Sequence, residues 1–407
     1  MSDWVFRADT EAVFDALRDG THGASLREYF GVAGHAELTR LAAAGARKPR
    51  RGPPVWILPG IMGSRLAARA RGATAPKVLW IDPRAIGAGA LQDLVLPAPG
   101  PGLQPLGVLL FAYARLVLQL RSEGFDTRLH AYDWRLGIDV SGAALAAAIR
   151  AARRPVVLIG HSMGGLIARM AMRRVARRSV SKLIMLGTPN FGSYGPVQAL
   201  RGTYPFVRKV ALLDLQHSPE YLAERVFSTF PGLYQLLPPR RRLAGADLYA
   251  PDAWPTEGPQ PDPRLLARVA GVRAQLAPPD ARMLQIVGVN RKTVVAVRRG
   301  GSGFDYEFEP AGGDGSVPLR LARLPGIRTY YVDEAHANLA NNAAVIAAIG
   351  DLLRGGRTQR LAMRWRPPCG AALCIDDAGL AANDGAKIDW SRLDAAGRAA
   401  TLAHLGE

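Results

Sequence analysis

Pro155-Val156-Val157-Leu158-Ile159-Gly160-His161-Ser162-Met163-Gly164-Gly165-Leu166 decides how this chain folds. The aliphatic run Val156 to Ile159 reads as a strand buried on both faces, and the pattern from Leu166 to Arg178 reads as a helix. Between them a serine stands in a G-x-S-x-G frame, the sequence form of a sharp strand-to-helix turn. Glycines two before and two after the serine let the chain close without Cβ clashes, and the turn holds its central residue in a strained backbone conformation. The hydroxyl is then exposed above the strand ends, at a helix N-terminus that favours developing negative charge. The frame also recurs by chance in glycine-rich chains, so the flanking strand and helix carry the inference.

Working outward, strands and helices alternate. Val55–Leu58, Thr127–Tyr132, Val156–Ile159, Lys182–Leu186, Leu284–Val289 and Arg328–Val332 read as strands. Segments of about Leu106 to Glu123, Gly142 to Ala152, Leu166 to Arg178 and Ala337 to Leu353 read as helices, with a hairpin around Val294–Arg298 and Phe304–Phe308. This spacing predicts a mostly parallel central sheet with helices on both faces. The alternation stops between about Tyr194 and Pro279, where proline, arginine and aromatic residues dominate. That stretch is too long for a plain loop and reads as a cap inserted over the sheet. Residues 1–51 read as a helical appendage ending in a basic linker, 52–356 as the catalytic domain, and 357–407 as a tail of unassigned role.

A serine nucleophile needs a base, a carboxylate to orient that base, and donors for an oxyanion. Ser162 is the candidate nucleophile. Of the histidines that follow it, His217 falls in the cap and His404 in the tail, whereas His336 lies between the last strand and the last helix, where such a base is presented. Asp314, in Gly312-Gly313-Asp314-Gly315-Ser316-Val317-Pro318, is the candidate carboxylate, although Asp-Gly is also an ordinary turn signal. Asp333 is the runner-up, three residues before His336 and too near in sequence to reach the far side of its ring easily. The loop Pro59-Gly60-Ile61-Met62-Gly63-Ser64 follows the first strand, so the N–H of Ile61 and that of Met163 are the candidate oxyanion donors.

These pieces point to the α/β-hydrolase fold with an inserted cap. The chain resembles, more narrowly, the lecithin:cholesterol acyltransferase family, which also holds the lysosomal phospholipase A and phospholipid:diacylglycerol acyltransferase enzymes. The matching motifs run in family order: Val55 to Ser64, Tyr132-Asp133-Trp134-Arg135, Gly160 to Gly165, Gly187-Thr188-Pro189-Asn190-Phe191-Gly192-Ser193, Tyr234-Gln235-Leu236-Leu237-Pro238 and Gly313 to Pro318. The resemblance implies a Ser162, Asp314, His336 triad, an Ile61 oxyanion donor, and a lipid ester substrate such as a phospholipid. The first and last fifty or so residues match no motif of that family.

Composition bounds the rest. The 407 residues are 48% hydrophobic and 21% charged, as in ordinary globular chains, and no run of about 18 apolar residues could span a bilayer. The acidic N-terminus, with Asp3, Asp9, Glu11 and Asp15, lacks the order of a signal peptide, so a cytoplasmic location is expected. Cys369 and Cys374 have no partners at zinc-site spacing and read as reduced thiols, and neither a metal nor an organic cofactor is expected. The formal charge of +18 is mostly arginine and reads first as solvated basic faces. Clusters at Arg47–Arg51 and Arg240–Arg242 also suit peripheral contact with an anionic membrane, and no motif accompanies the charge that would suggest nucleic acid. Two other functions fit the same sequence: an esterase or thioesterase for small soluble acyl groups, and a non-catalytic interaction protein on a hydrolase fold.

Overall fold

The computed structural model describes residues 4–68, 76–97, 102–366, 368, 370–382 and 385–406. Its centre is a six-stranded parallel sheet in the order β11-β8-β7-β6-β1-β5. The strands are β1 (Arg51–Leu58), β5 (Phe125–Leu129), β6 (Val156–His161), β7 (Val180–Leu186), β8 (Met283–Val289) and β11 (Arg328–Asp333). Alternate side chains point to opposite faces of a strand, so a sheet covered on both sides demands aliphatic residues at successive positions. Val55, Ile57, Val157, Ile159, Ile184 and Leu186 enter the core on one face. Trp56, Leu58, Val156, Leu158, Leu183 and Met185 enter the core on the other.

The helices Leu110–Ser122 and Ala343–Gly355 cover the first face, through Tyr113, Leu116, Val117 and Leu120 and through Val345, Ile346, Ile349 and Leu352. Helices Ile138–Ala151 and Met163–Met172 cover the second. Strand β1 pairs with β5 on one side and with β6 on the other, so the chain leaves β1 and β6 in opposite directions. The crevice above their carboxyl ends is the topological switch point, where open α/β sheets bind ligands.

Several boundaries differ from the sequence reading. Leu106 belongs to strand β4 (Leu103–Val108), which pairs with β2 (Ser64–Ala68), itself paired with β3 (Lys77–Trp80), in a separate three-stranded antiparallel sheet. The helix after Ser162 stops at Met172, and the one after His336 begins at Ala343, behind the short turn His336–Asn338. The hairpin is longer than its apolar centre suggests: β9 (Arg291–Arg299) pairs with β10 (Phe304–Gly313), and β12 (Leu373–Asp376) of the C-terminal segment adds a third strand.

Between β7 and β8 the inserted segment forms short helices, among them Pro205–Leu213, Pro219–Arg225, Pro231–Tyr234 and Pro263–Arg273. Each opens on a proline, whose missing N–H costs nothing in the first turn and whose fixed φ suits helix entry. Phe227, Phe230, Leu213 and Leu237 are buried beneath them.

The N-terminal helices, set apart by the sequence, share the core of the sheet through Val13, Phe14, Leu17, Leu26, Leu38 and Leu41. The buried Arg65 donates to the carbonyls of Val5 and Phe6, and Arg121 makes two bonds to the Glu11 carboxylate at 2.7 and 2.8 Å. At the other end, Asp377 accepts from Arg201, Tyr306 and the Phe304 N–H, and the helix Ala395–Gly406 buries Leu402 and Leu405. Cys374 is an exposed free thiol, and Cys369 lies outside the described residues. Among the described residues no helix is long and apolar enough to cross a membrane.

Candidate active site

Ser162 stands between β6 and the helix Met163–Met172 with φ 53° and ψ −123°, a combination that costs of order 1–3 kcal/mol and persists only where the surroundings enforce it. The enforcement is visible. The Ser162 N–H donates to the Leu186 carbonyl at the end of β7, and the Gly165 N–H turns back onto the Ser162 carbonyl. A Cβ on Gly164 would lie 2.6 Å from the carbonyl oxygens of both Leu58 and Pro59, so only glycine lets the elbow nest against the end of β1.

The imidazole of His336 reaches this serine from the turn after β11, its Nε2 2.9 Å from Ser162 Oγ and its Nδ1 2.7 Å from Asp314 Oδ2. The carboxylate is 1% exposed, and its other oxygen accepts from the N–H groups of Ser316 and Val317 at 3.0 and 2.7 Å. Three of its four lone-pair directions are thus shared between the ring and a tight turn, which fixes both rotamer and distance. The His336 N–H donates to the Asp314 carbonyl at 2.8 Å, closing the two loops on each other. Gly187, at φ +55°, leaves the room they need: a Cβ there would lie 3.0 Å from His336 Nδ1 and 3.1 Å from Asp314 Oδ2. Asp333 points elsewhere. Its carboxylate bonds Asn290 and Arg291, and these partners hold it below the usual carboxylate range. His217 is bound to Asp214 in the cap, 3.0 Å from Nδ1 to Oδ2.

Both candidate oxyanion donors flank the serine. Met163 is the first residue of its helix, where N–H groups lack intrahelical acceptors. Ile61 belongs to the loop after β1, which approaches so closely that a Cβ on Gly60 would lie 3.0 Å from Ser162 Cβ. Large aromatic residues hold this loop: Trp80 Nε1 donates to the Met62 carbonyl at 2.7 Å, Tyr132 Oη to that of Pro59 at 2.8 Å, and Trp134 Nε1 to that of Ser64 at 3.0 Å. The Tyr132 to Arg135 motif thus braces the loop, with Arg135 locked onto Asp133 by bonds of 2.9 and 2.7 Å.

Sequence reasoning missed two side chains here. Tyr113 Oη accepts from the Gly60 N–H at 2.9 Å and lies 2.7 Å from His161 Nδ1, while His161 Nε2 lies 2.9 Å from the His336 carbonyl oxygen. Burial, helped by the neighbouring His336, pushes His161 down to about 3, so its ring is neutral, and burial raises the Tyr113 phenol. A histidine directly before the elbow serine was the available signal.

Above the serine lies a cavity of about 850 Å³, within the range of sites for drug-sized and cofactor-sized ligands. Its walls come from distant parts of the chain: Tyr29, Phe30 and Leu38 near the N-terminus, Tyr204, Phe206, Leu233 and Leu236 of the cap, and Leu380, Leu402 and Leu405 near the C-terminus. Among the described residues no group of three or more His, Cys, Asp and Glu side chains gathers as a metal site would require.

Comparison with solved structures finds Tle4 in its complex with Tli4, at 13% identity over 75% of this chain and 99% of that one, with a TM-score of 0.46. The mature lipase BlEst2 of Bacillus licheniformis matches at 15% identity over 75% and 93%, with a TM-score of 0.36. The phospholipase PlaB of Legionella pneumophila matches at 11% identity over 75% and 57%, with a TM-score of 0.35. No curated protein matches the sequence. The model of the "Alpha/beta hydrolase family" matches residues 94–309, from before the helix that carries Tyr113, through the elbow, into the second strand of the hairpin. With a match over just over half of its 407 residues, and a strand, turn and helix that present Ser162 at the switch point of a parallel sheet, the chain belongs to the alpha/beta hydrolase family.

Proposed function

We propose that this chain is a serine-dependent acyl-ester hydrolase or O-acyltransferase acting on lipid esters, in the manner of the lecithin:cholesterol acyltransferase group its motifs resemble. The observation that carries the reading is the unbroken line of hydrogen bonds from Asp314 through His336 to Ser162 at the base of a large cavity rich in apolar side chains. Ser162 Oγ attacks the ester carbonyl as His336 Nε2 takes its proton, and the N–H groups of Ile61 and Met163 receive the oxyanion. The tetrahedral intermediate expels its alcohol, which leaves with the proton from His336. Water or an acceptor alcohol, deprotonated by the same ring, then releases the acyl group from Ser162. Asp314 holds the ring in the tautomer with its proton on Nδ1 and stabilises the imidazolium.

The cavity favours a long acyl group, since a small soluble ester would leave most of about 850 Å³ unfilled. The exposed Arg240 and Arg241 of the cap would draw the protein to anionic lipid, each contributing about 1 kcal/mol near such a surface. The test is lipid profiling of mixed phospholipid vesicles incubated with the protein or with Ser162→Ala, with and without an added long-chain alcohol. Free fatty acid, or new ester when the alcohol is present, should form with the native protein and not with the variant. Vesicles left unchanged by the native protein, alongside turnover of short soluble esters, would replace the lipid reading with the small-ester one.

A further inference from the structure

Tyr113 and His161 are buried, polar, and bonded to one another in a place where neither is required by the proton transfer itself. Their hydrogen bonds allow one assignment. The His336 carbonyl oxygen can only accept, so His161 Nε2 carries the proton of that 2.9 Å bond. A neutral ring then offers the lone pair of Nδ1, so Tyr113 donates its hydroxyl proton there at 2.7 Å. The phenol oxygen is left to accept from the Gly60 N–H at 2.9 Å. The chain of donors therefore runs Gly60 N–H, Tyr113 O–H, His161 Nε2–H, His336 C=O. Every link is satisfied, and the other neutral tautomer of His161 would leave its Nε2 lone pair facing the His336 carbonyl oxygen, acceptor against acceptor.

Its ends are informative. Gly60 immediately precedes Ile61, the candidate oxyanion donor after β1. His336 is the base, and His161 immediately precedes the nucleophile. We infer that Tyr113 and His161 form a positioning pair that fixes the oxyanion loop, the elbow and the base loop relative to one another, so that donor, nucleophile and base meet in register. The inference rests on the reading of Ser162 as the nucleophile. The helix Leu110–Ser122, which supplies Tyr113, packs on the same face of the sheet as the helix Ala343–Gly355. Both side chains also border the cavity beside Ser162, so a KM that stays near the native value is the readout that separates positioning from direct substrate contact. A fully connected buried polar chain rigidifies what it joins, whereas a broken one leaves several orphaned groups at once.

The test uses Tyr113→Phe and His161→Gln, assayed on a soluble chromogenic ester, with the concentration of competent sites set by fluorophosphonate titration of Ser162. In Tyr113→Phe the Gly60 N–H and His161 Nδ1 lose their partner. In His161→Gln the amide can still donate to the His336 carbonyl, but the bond to Tyr113 is lost. Per titrated site, kcat should fall by about 10- to 100-fold in each, less than the 10²–10³ that loss of a whole oxyanion donor costs, with KM little changed. The double variant should be no slower than the slower single one, because both break one chain. A merely structural role would lower the melting temperature and the number of titrated sites while leaving kcat per site at the native value, and that result would overturn the inference. If Tyr113→Phe does not fold, His161→Gln alone decides by the same criterion. Absence of fluorophosphonate labelling of Ser162 in the native protein would instead overturn the nucleophile reading on which the inference stands.

Discussion

Asp314 and Asp333 carry the same side chain, and their fates differ because of what surrounds each carboxylate. Asp314 is 1% exposed, with one oxygen on the His336 ring and the other on two backbone N–H groups. The Asp333 side chain is 59% exposed and is occupied by Arg291 and Asn290. Asp314→Asn should therefore lower kcat by about 10⁴, since an amide in that position favours the wrong tautomer of His336. Asp333→Asn should change it little, because it weakens only an exposed ion pair. Steady-state kinetics of the two variants on one ester give the comparison, and a larger loss in Asp333→Asn would move the carboxylate role. Glycines around Asp314 made that residue legible in the sequence, as the expected position after the last strand did for His336. Tyr113 was not legible, because a tyrosine within an apolar helical pattern reads as core until the loop it meets, more than fifty residues away, is in place.

At the scale of elements, aliphatic content decided what could be read. Strands β1, β6, β7 and β8 are buried on both faces and show as runs of Val, Ile and Leu. The sheet of β2, β3 and β4 is short and built on sequences such as Ser64-Arg65-Leu66-Ala67-Ala68 and Leu103-Gln104-Pro105-Leu106-Gly107-Val108, where neither alternation nor β-branched residues mark a strand. The cap helices that open on proline were hidden for another reason: at four to eleven residues they are too short for the apolar period to repeat across the window of about 11–18 residues in which it is read. The elbow is the element most exposed to a single change. Gly164→Ala would push a methyl against the carbonyls of Leu58 and Pro59, backbone atoms that cannot swing aside. Overpacking of this kind costs about 1–3 kcal/mol, seen as a lower denaturant midpoint at unchanged slope. Activity should fall further than stability, because the methyl presses on the turn that holds Ser162. A variant with native midpoint and native kcat would show the elbow to be looser than its contacts imply.

The whole molecule assembles its cavity from segments that no local pattern connects. Residues near both ends, which match none of the motifs that carry the family resemblance, wall the space above Ser162, and the ion pair of Arg398 with Glu28, at 3.8 Å, ties one end to the other. Such joining follows from tertiary packing and leaves no trace in a window of sequence, which is why both segments read as separate from the catalytic body. If an acyl chain lies along Leu402 and Leu405, truncating both to alanine removes apolar surface that a long chain covers and a short one never reaches. Loss of contacts of this size is worth about 1.5–3 kcal/mol, so the ratio of kcat/KM for a dodecanoyl over a butanoyl ester should drop roughly tenfold or more. An unchanged ratio would direct the acyl chain along another wall of the cavity.

The central claim, that Ser162 is a nucleophile activated by His336, is tested most directly by intact-protein and peptide mass spectrometry after brief exposure to a fluorophosphonate. The account predicts one adduct per chain, located on the peptide bearing Ser162, and its loss in Ser162→Ala. In His336→Ala, which removes the base 2.9 Å from the hydroxyl, labelling should slow by several orders of magnitude. An unlabelled Ser162 in the folded native protein, or labelling that proceeds equally fast without His336, would contradict it.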